Sequence, residues 1–105
     1  MSKPLYRVQF QHQDKLYVVY ARRVASSAIW GFVDIGEFDF DTRQGVLVDP
    51  TEERLREEFA DTRSLHLPMH SVLRIEEVER RGTASIRDAS DTGRVVTPFP
   101  LPRQS

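Results

Sequence analysis

The sequence predicts an α+β fold: a strongly bent antiparallel sheet, or small SH3-like/Sm-like barrel, of five to six strands with one short helix. Two observations lead there. Short apolar segments alternate with period two between polar turns and glycines. The single helical segment, about residues 50–61, has too few apolar side chains to form a layer of its own. At 105 residues the chain is one small domain, expected over residues 1–86, with residues 87–105 a flexible proline-containing tail.

The first pair of strands is the clearest local feature. Tyr6, Val8 and Phe10 alternate with Leu5, Arg7 and Gln9, His12–Lys15 is a polar turn, and Leu16–Ala21 resumes with aromatic and β-branched residues. Arg22–Ala28 reads equally as strand end, loop or helical turn. Trp30–Ile35 reads as a third strand, Trp30 and Phe32 on one face and Val33 and Ile35 on the other, with Gly31 and Gly36 allowing a bend. Phe38 and Phe40 continue the alternation against Glu37, Asp39 and Asp41. Gln44-Gly45 marks a turn, and Val46–Val48 a short strand.

Asp49-Pro50-Thr51-Glu52 is a helix start: a capping carboxylate, a proline at the first helical position and an acidic residue three after the cap. Leu55 and Phe59, four apart, form the buried stripe, with Glu52 and Arg56 expected to pair on the exposed side. Leu65, Leu67 and Met69 alternate as a strand until Pro68 removes a ladder donor, which places this segment at an edge or bulge. Val72–Val78 reads as a strand, with Leu73 and Ile75 on one face and Val72 and Val78 on the other. A helix capped by Ser71 is its rival. Met69 with Leu73 or Ile75 is assigned to the core, and Thr83–Ile86 adds a last short strand. Thr97-Pro98-Phe99-Pro100-Leu101-Pro102 favours polyproline II.

Charge and composition narrow the function classes. Charged residues are 30% and hydrophobic ones 39% of the chain, as in a soluble domain, and there is no cysteine, which excludes disulfides and thiolate metal sites. No signal-peptide core or membrane-length apolar run appears, so the expected location is the cytoplasm, with no membrane association. Residues 1–33 carry five basic and one acidic side chain, whereas residues 34–61 carry three and ten. The chain as a whole is not the strongly basic domain of a dedicated nucleic-acid binder. The early arginines can instead meet the acidic segment of the same chain or of a second copy.

No nucleophile elbow, phosphate loop or dinucleotide fingerprint is present, and the paired glutamates read as solvated faces. His66 and His70 would lie roughly 13 Å apart along a strand, too far to share one metal ion, so no metal and no cofactor is expected. His70 reads as a structural residue that bonds a backbone group freed by Pro68. Its functional reading is a strand-end residue facing a ligand. Arg22 and Arg23, with Tyr20 and Trp30, are the nearest approach to a basic and aromatic patch.

The segments D-P-T-E-E-R-L and L-P-M-H-S-V-L-R-I-E-E-V-E, with L-Y-R-V-Q-F near the start, resemble a family of small bacterial proteins known as domain of unknown function 1820. The likeness runs from the first hairpin to the T-P-F-P tail and is most specific at Pro68-Met69-His70. It implies no activity. A fainter likeness joins this motif to small domains with an I-P-x-H-R-I segment, some linked with RNA repair or processing; Ser71 stands here where they have arginine. The expected function is a non-catalytic cytoplasmic binding module, most simply for a protein partner or a second copy of itself. The alternative is a small-barrel RNA-binding protein. The candidate binding residues are Arg22, Arg23, Trp30, Pro68, His70 and Arg74. An enzyme using His70 as acid or base is the third reading.

Overall fold

A computed structural model describes residues 3–40 and 50–89. Strands β1 (Leu5–His12) and β2 (Lys15–Ser26) form the expected hairpin, in register from Tyr6 opposite Ala21 to His12 opposite Lys15. Gln13 and Asp14, the two turn residues, both have positive φ, 51° and 62°. That is the requirement of the type I′ turn, whose twist matches the two strands it joins. β3 (Phe32–Phe38) pairs with the second half of β2, and β4 (Ser64–Pro68) pairs with β3. β5 (Val72–Val78) returns to β1, while β6 (Ser85–Asp88) takes the first half of β2. All ladders are antiparallel, in the order β4-β3-β2-β1-β5 with β6 beside β2.

β4 and β5 stand at opposite ends of that order, yet only the 3-10 turn Met69–Ser71 separates them in the chain. Four strand spacings in a flat sheet cover about 19 Å. The four Cα–Cα steps from Pro68 to Val72 cover at most about 15 Å. The sheet therefore bends strongly, as expected. It does not close into a barrel: among the described residues no ladder joins β4 to β5. On the other side of β4, the Met69 N–H extends the pairing with β3, bonded to the Gly31 carbonyl at 2.8 Å.

The concave face holds the core. Val8, Phe10, Tyr17, Val19, Ala21, Ile35 and Leu67 meet Leu55 and Phe59 of the helix α1 (Pro50–Glu58) and its C-terminal turn, together with Ala84. Aromatic rings tie the layers: Phe10 stacks on its cross-strand partner Tyr17 with centroids 4.7 Å apart, Tyr17 meets the edge of Phe59 at 6.3 Å, and Phe59 stacks on Phe38 at 4.8 Å. β2 is covered on both faces, since Leu5, Val18 and Tyr20 form a second cluster behind it with Val78. That explains why Leu16–Ala21 is an unbroken buried run.

Four expectations are corrected. The third strand starts at Phe32, and Gly31, at φ 81°, belongs to the turn before it. Trp30 therefore stands outside the sheet. In β5 a register shift opposite Gln9/Phe10 puts Val72 against Phe10 and Ile75 against Val8, so both face the core side although three residues apart. Leu73, the extra residue, and Met69 are exposed and Ile75 is half-exposed; Val72 is the residue packed on the core. Finally, Glu52 is buried at 4% exposure, where an exposed pair with Arg56 was expected. Arg56 bonds Glu53 instead. Glu52 accepts the Ala84 N–H at 3.4 Å and lies 3.9 Å from Arg81. The last strand is shifted to Ser85–Asp88. The expected Gln44-Gly45 turn, Val46–Val48 strand, Asp49 cap and proline-containing tail beyond Ala89 lie outside the described residues.

Gly36 shows how tightly β3 and β4 are joined. A Cβ there would sit 2.0 Å from Nη2 of Arg23, whose guanidinium crosses the Gly36 backbone to reach the Arg63 carbonyl, Ser64 Oγ and Asp34. Gly36→Ala displaces that fork and is expected to cost about 1–2 kcal/mol, read as a lower urea midpoint. An unchanged midpoint would show that Arg23 swings aside freely.

Candidate functional site

The β2–β3 turn presents the most exposed large apolar side chain. Trp30 is 94% exposed, flanked by Ile29 at 49%. The loop that carries them is well tied. Ser27 N–H donates to the Phe32 carbonyl and Phe32 N–H to the Ile29 carbonyl, both at 3.1 Å. Ser27 Oγ accepts the Ile29 N–H at 2.8 Å, an ST-turn, and is hydrogen-bonded to Nδ1 of His66 on β4 at the same distance. The Met69 N–H bond to Gly31 then brings Met69, 61% exposed, to the same end.

The structure separates the other sequence-predicted residues into two groups. Pro68 ends β4 opposite Phe32, and His70 lies exposed in the turn that follows. The Pro68 carbonyl is taken by Ser71 Oγ at 2.9 Å. His70 therefore does not have the structural role expected of it; Ser71 has it. These two residues join Trp30 and Met69 at one end. Arg22, Arg23 and Arg74 do not.

All three arginines are already engaged. Arg22 donates Nε and Nη2 to one Asp39 oxygen at 3.2 and 3.0 Å and Nη1 to the Lys3 carbonyl at 3.0 Å. Arg23 pairs with Asp34 at 3.3 Å and lies 3.7 Å from Glu37. Arg74 and Arg7 share Glu76, each at 3.2 Å. Glu37 also accepts a hydrogen bond from Lys3, which holds its carboxyl below the ordinary range. Lys3, Arg22 and Arg23 are thus matched to the acidic segment of the same chain, while Arg7 and Lys15 meet Glu76 and Asp88.

A second feature was not read from the sequence. A pocket of about 190 Å³ is bounded by Leu65–Pro68 of β4, by Phe10, His12 and Tyr17 near the hairpin turn, and by Glu58 and Phe59 of the helix end. Its walls are mainly apolar. The Tyr17 hydroxyl donates to Glu58 at 3.3 Å, and burial first, then the Glu58 charge, pushes the phenol above its ordinary value. Among the described residues no cluster of three or more His, Cys, Asp or Glu could hold a metal ion. No helix among them is long and apolar enough to cross a membrane.

The family model for Domain of unknown function (DUF1820) matches residues 4–101. The chain belongs to that family. No curated protein and no solved structure matches it. The DUF1820 match takes in the Trp30 loop, the Pro68–Ser71 turn and the whole pocket wall, and it continues through Phe99 and Leu101.

Two signals in the sequence point to the Trp30 loop. Ser27 stands two before Ile29, the spacing of an ST-turn, and Gly31 after Trp30 supplies the positive φ of a turn. The pocket has no comparable local signal, because its residues come from β1, β2, β4 and the helix end and share a site only after the sheet bends.

The Tyr17 environment is open to titration. Its folded-state pKa is raised, so its stabilising contribution is complete below the unfolded value near 10 and is lost as pH rises through the folded value. Followed by its ring resonances, Tyr17 is expected to ionise above 10, and Glu58→Gln to lower that midpoint. A wild-type midpoint at or below 10 contradicts the Tyr17–Glu58 pairing.

Proposed function

We propose that this DUF1820 protein is a non-catalytic cytoplasmic protein-interaction module whose contact end is Ile29, Trp30 and Met69, with Pro68 and His70 beside them. We read its scaffold as an SH3-like partial barrel, on the strength of the bent five-strand order and the single 3-10 turn between the end strands. One observation carries the functional reading: a tryptophan with 94% of its surface exposed stands on a loop tied by four backbone and side-chain hydrogen bonds and by His66. Scattered exposed apolar residues are ordinary. Here a preorganised loop and an adjacent turn bring three together. Ordering that tip before contact lowers the entropy cost of binding, and tryptophan is the commonest kind of residue to dominate an interface.

The RNA reading has weaker support. It asks Arg22 and Arg23 to neutralise phosphates, and both already hold carboxylates within the chain. Arg74 is likewise beside Glu76. An acid or base role for His70 lacks a hydrogen-bonded partner among the described residues to orient the ring.

The chain has a single tryptophan, so its fluorescence reports on this tip alone. In the free protein the emission is expected at the long wavelength of a hydrated indole, shifting to the blue when a partner captured from lysate is added back. Trp30→Ala is expected to weaken that complex at least tenfold, a loss of about 1.4 kcal/mol or more, while the melting temperature moves by no more than about 3 °C. Undiminished capture by Trp30→Ala rules out the tip. Co-purifying RNA that is lost in an Arg22→Ala/Arg23→Ala variant would turn the assignment to the RNA reading.

A further inference from the structure

Two strands end the sheet order, and β5 is the longer of them, seven residues against five for β4. Its side away from β1 has no ladder partner among the described residues. Such an edge presents a row of backbone donors and acceptors that another strand can take. The side chains along it decide which strand. Ile75 is 42% exposed and the Arg74 side chain 64%. Arg74 and Glu76 share a face, since the guanidinium lies 3.2 Å from the carboxylate, and Ile75, opposite Val8, is on the other.

The sequence of β5 is complementary to itself in one register. When two copies of a strand join edge to edge about a twofold axis normal to the sheet, the pairing is antiparallel and each residue keeps its face. The axis must then pass a residue position, so that partners stand an even number of residues apart. An axis at Arg74 sets two guanidinium groups against each other, and one at Glu76 or Glu77 sets two carboxylates together. Like charges directly opposite destabilise a ladder. An axis at Leu73 falls on the extra residue of the register shift and takes in only the start of the strand. An axis at Ile75 meets none of these objections. It brings Ile75 against Ile75 of the second copy, Arg74 against its Glu76, and Glu76 against its Arg74. The Arg74–Glu76 pair of each chain, with Arg7 on the same carboxylate, then becomes part of one group of alternating charge.

We propose that β5 pairs with β5 of a second copy of this chain, antiparallel and centred on Ile75, so that two bent sheets join into a dimer. The charges that exclude the neighbouring registers select this one. Because the two strands run in opposite directions, the Met69–Ser71 turns that precede them lie at opposite ends of the shared ladder. The dimer thus carries two Trp30 tips, and only that consequence rests on the interaction module proposed above.

Sedimentation velocity on the full-length protein tests the pairing. The wild type is expected to pass from the mass of one chain to that of two at concentrations below about 1 mM. Arg74→Glu places a carboxylate against Glu76 of the second copy, and Glu76→Arg places a guanidinium against its Arg74. Each variant alone is expected to dimerise at least about tenfold more weakly than the wild type. Mixed in equal amounts, the two variants are expected to recover the dimer. In the mixed pair the new carboxylate at position 74 meets the new guanidinium at position 76, and Glu76 of the first chain meets Arg74 of the second. Recovery on mixing separates pairing from misfolding, which mixing does not repair. A wild type that keeps the mass of one chain, or a mixture no more dimeric than its components, overturns the proposal. Dimers lost in Trp30→Ala overturn it in favour of contact through the tip. A monomeric wild type whose β5 edge amides all exchange slowly overturns it in favour of a segment of the same chain on that edge. Capture of a foreign partner by Trp30 is read in a separate experiment, so the two proposals fail independently.

Discussion

The link Met69–Ser71 is the constraint on which this structure turns. It joins the two ends of a five-strand order with fewer residues than a flat sheet allows. The bend follows from chain length alone, and its consequences run in both directions along the seam. On one side the Met69 N–H is drawn to Gly31, which sets Met69 beside the Trp30 loop. On the other, no ladder joins β4 to β5 among the described residues, and a pocket lies between β4, the hairpin and the helix end.

The bent sheet is filled by aromatic packing and locked at its rim by charge. Phe10, Tyr17, Phe59 and Phe38 meet ring to ring, so one helix with two apolar anchors is enough to cover the concave face. Around that core, Arg22 and Arg81 share Asp39, Arg23 serves Asp34 and Glu37, and Arg81 approaches buried Glu52. Exposed pairs of this kind are each worth little.

What remains outward-facing is apolar and organised. The Trp30 tip is held by its own turn, by His66 and by Met69, while Leu73, pushed outward by the register shift in β5, lies on an edge strand rich in charge. Charged residues and an irregularity on an edge strand discourage indiscriminate pairing. The tip has no such guard, which is the physical contrast behind assigning it the contact role.

Much of the fold was legible locally. The period-two pattern located the hairpin, the proline and acidic first turn located the helix, and Leu55 and Phe59 are the anchors their spacing indicated. The register of β5 was not legible, because an inserted residue makes Val72 and Ile75 look helical when both face the core side. Trp30 was misread for a related reason: an apolar residue next to a strand looks like part of it unless the positive φ of Gly31 is known. The buried Glu52 was misread because its partners, Arg81 and Ala84, are about thirty residues away.

By itself the sequence determined the first hairpin, the helix, the absence of thiol chemistry and the segregation of charge, all of which depend on near neighbours or on counting. It also placed the proline at the end of β4. Only the tertiary structure decided that the sheet stays open, that the early arginines are spent on the acidic middle of the chain, and that Trp30 faces water beside Met69. Those outcomes depend on which distant segments meet. A three-residue link between the ends of a sheet settles that through geometry that no local pattern encodes.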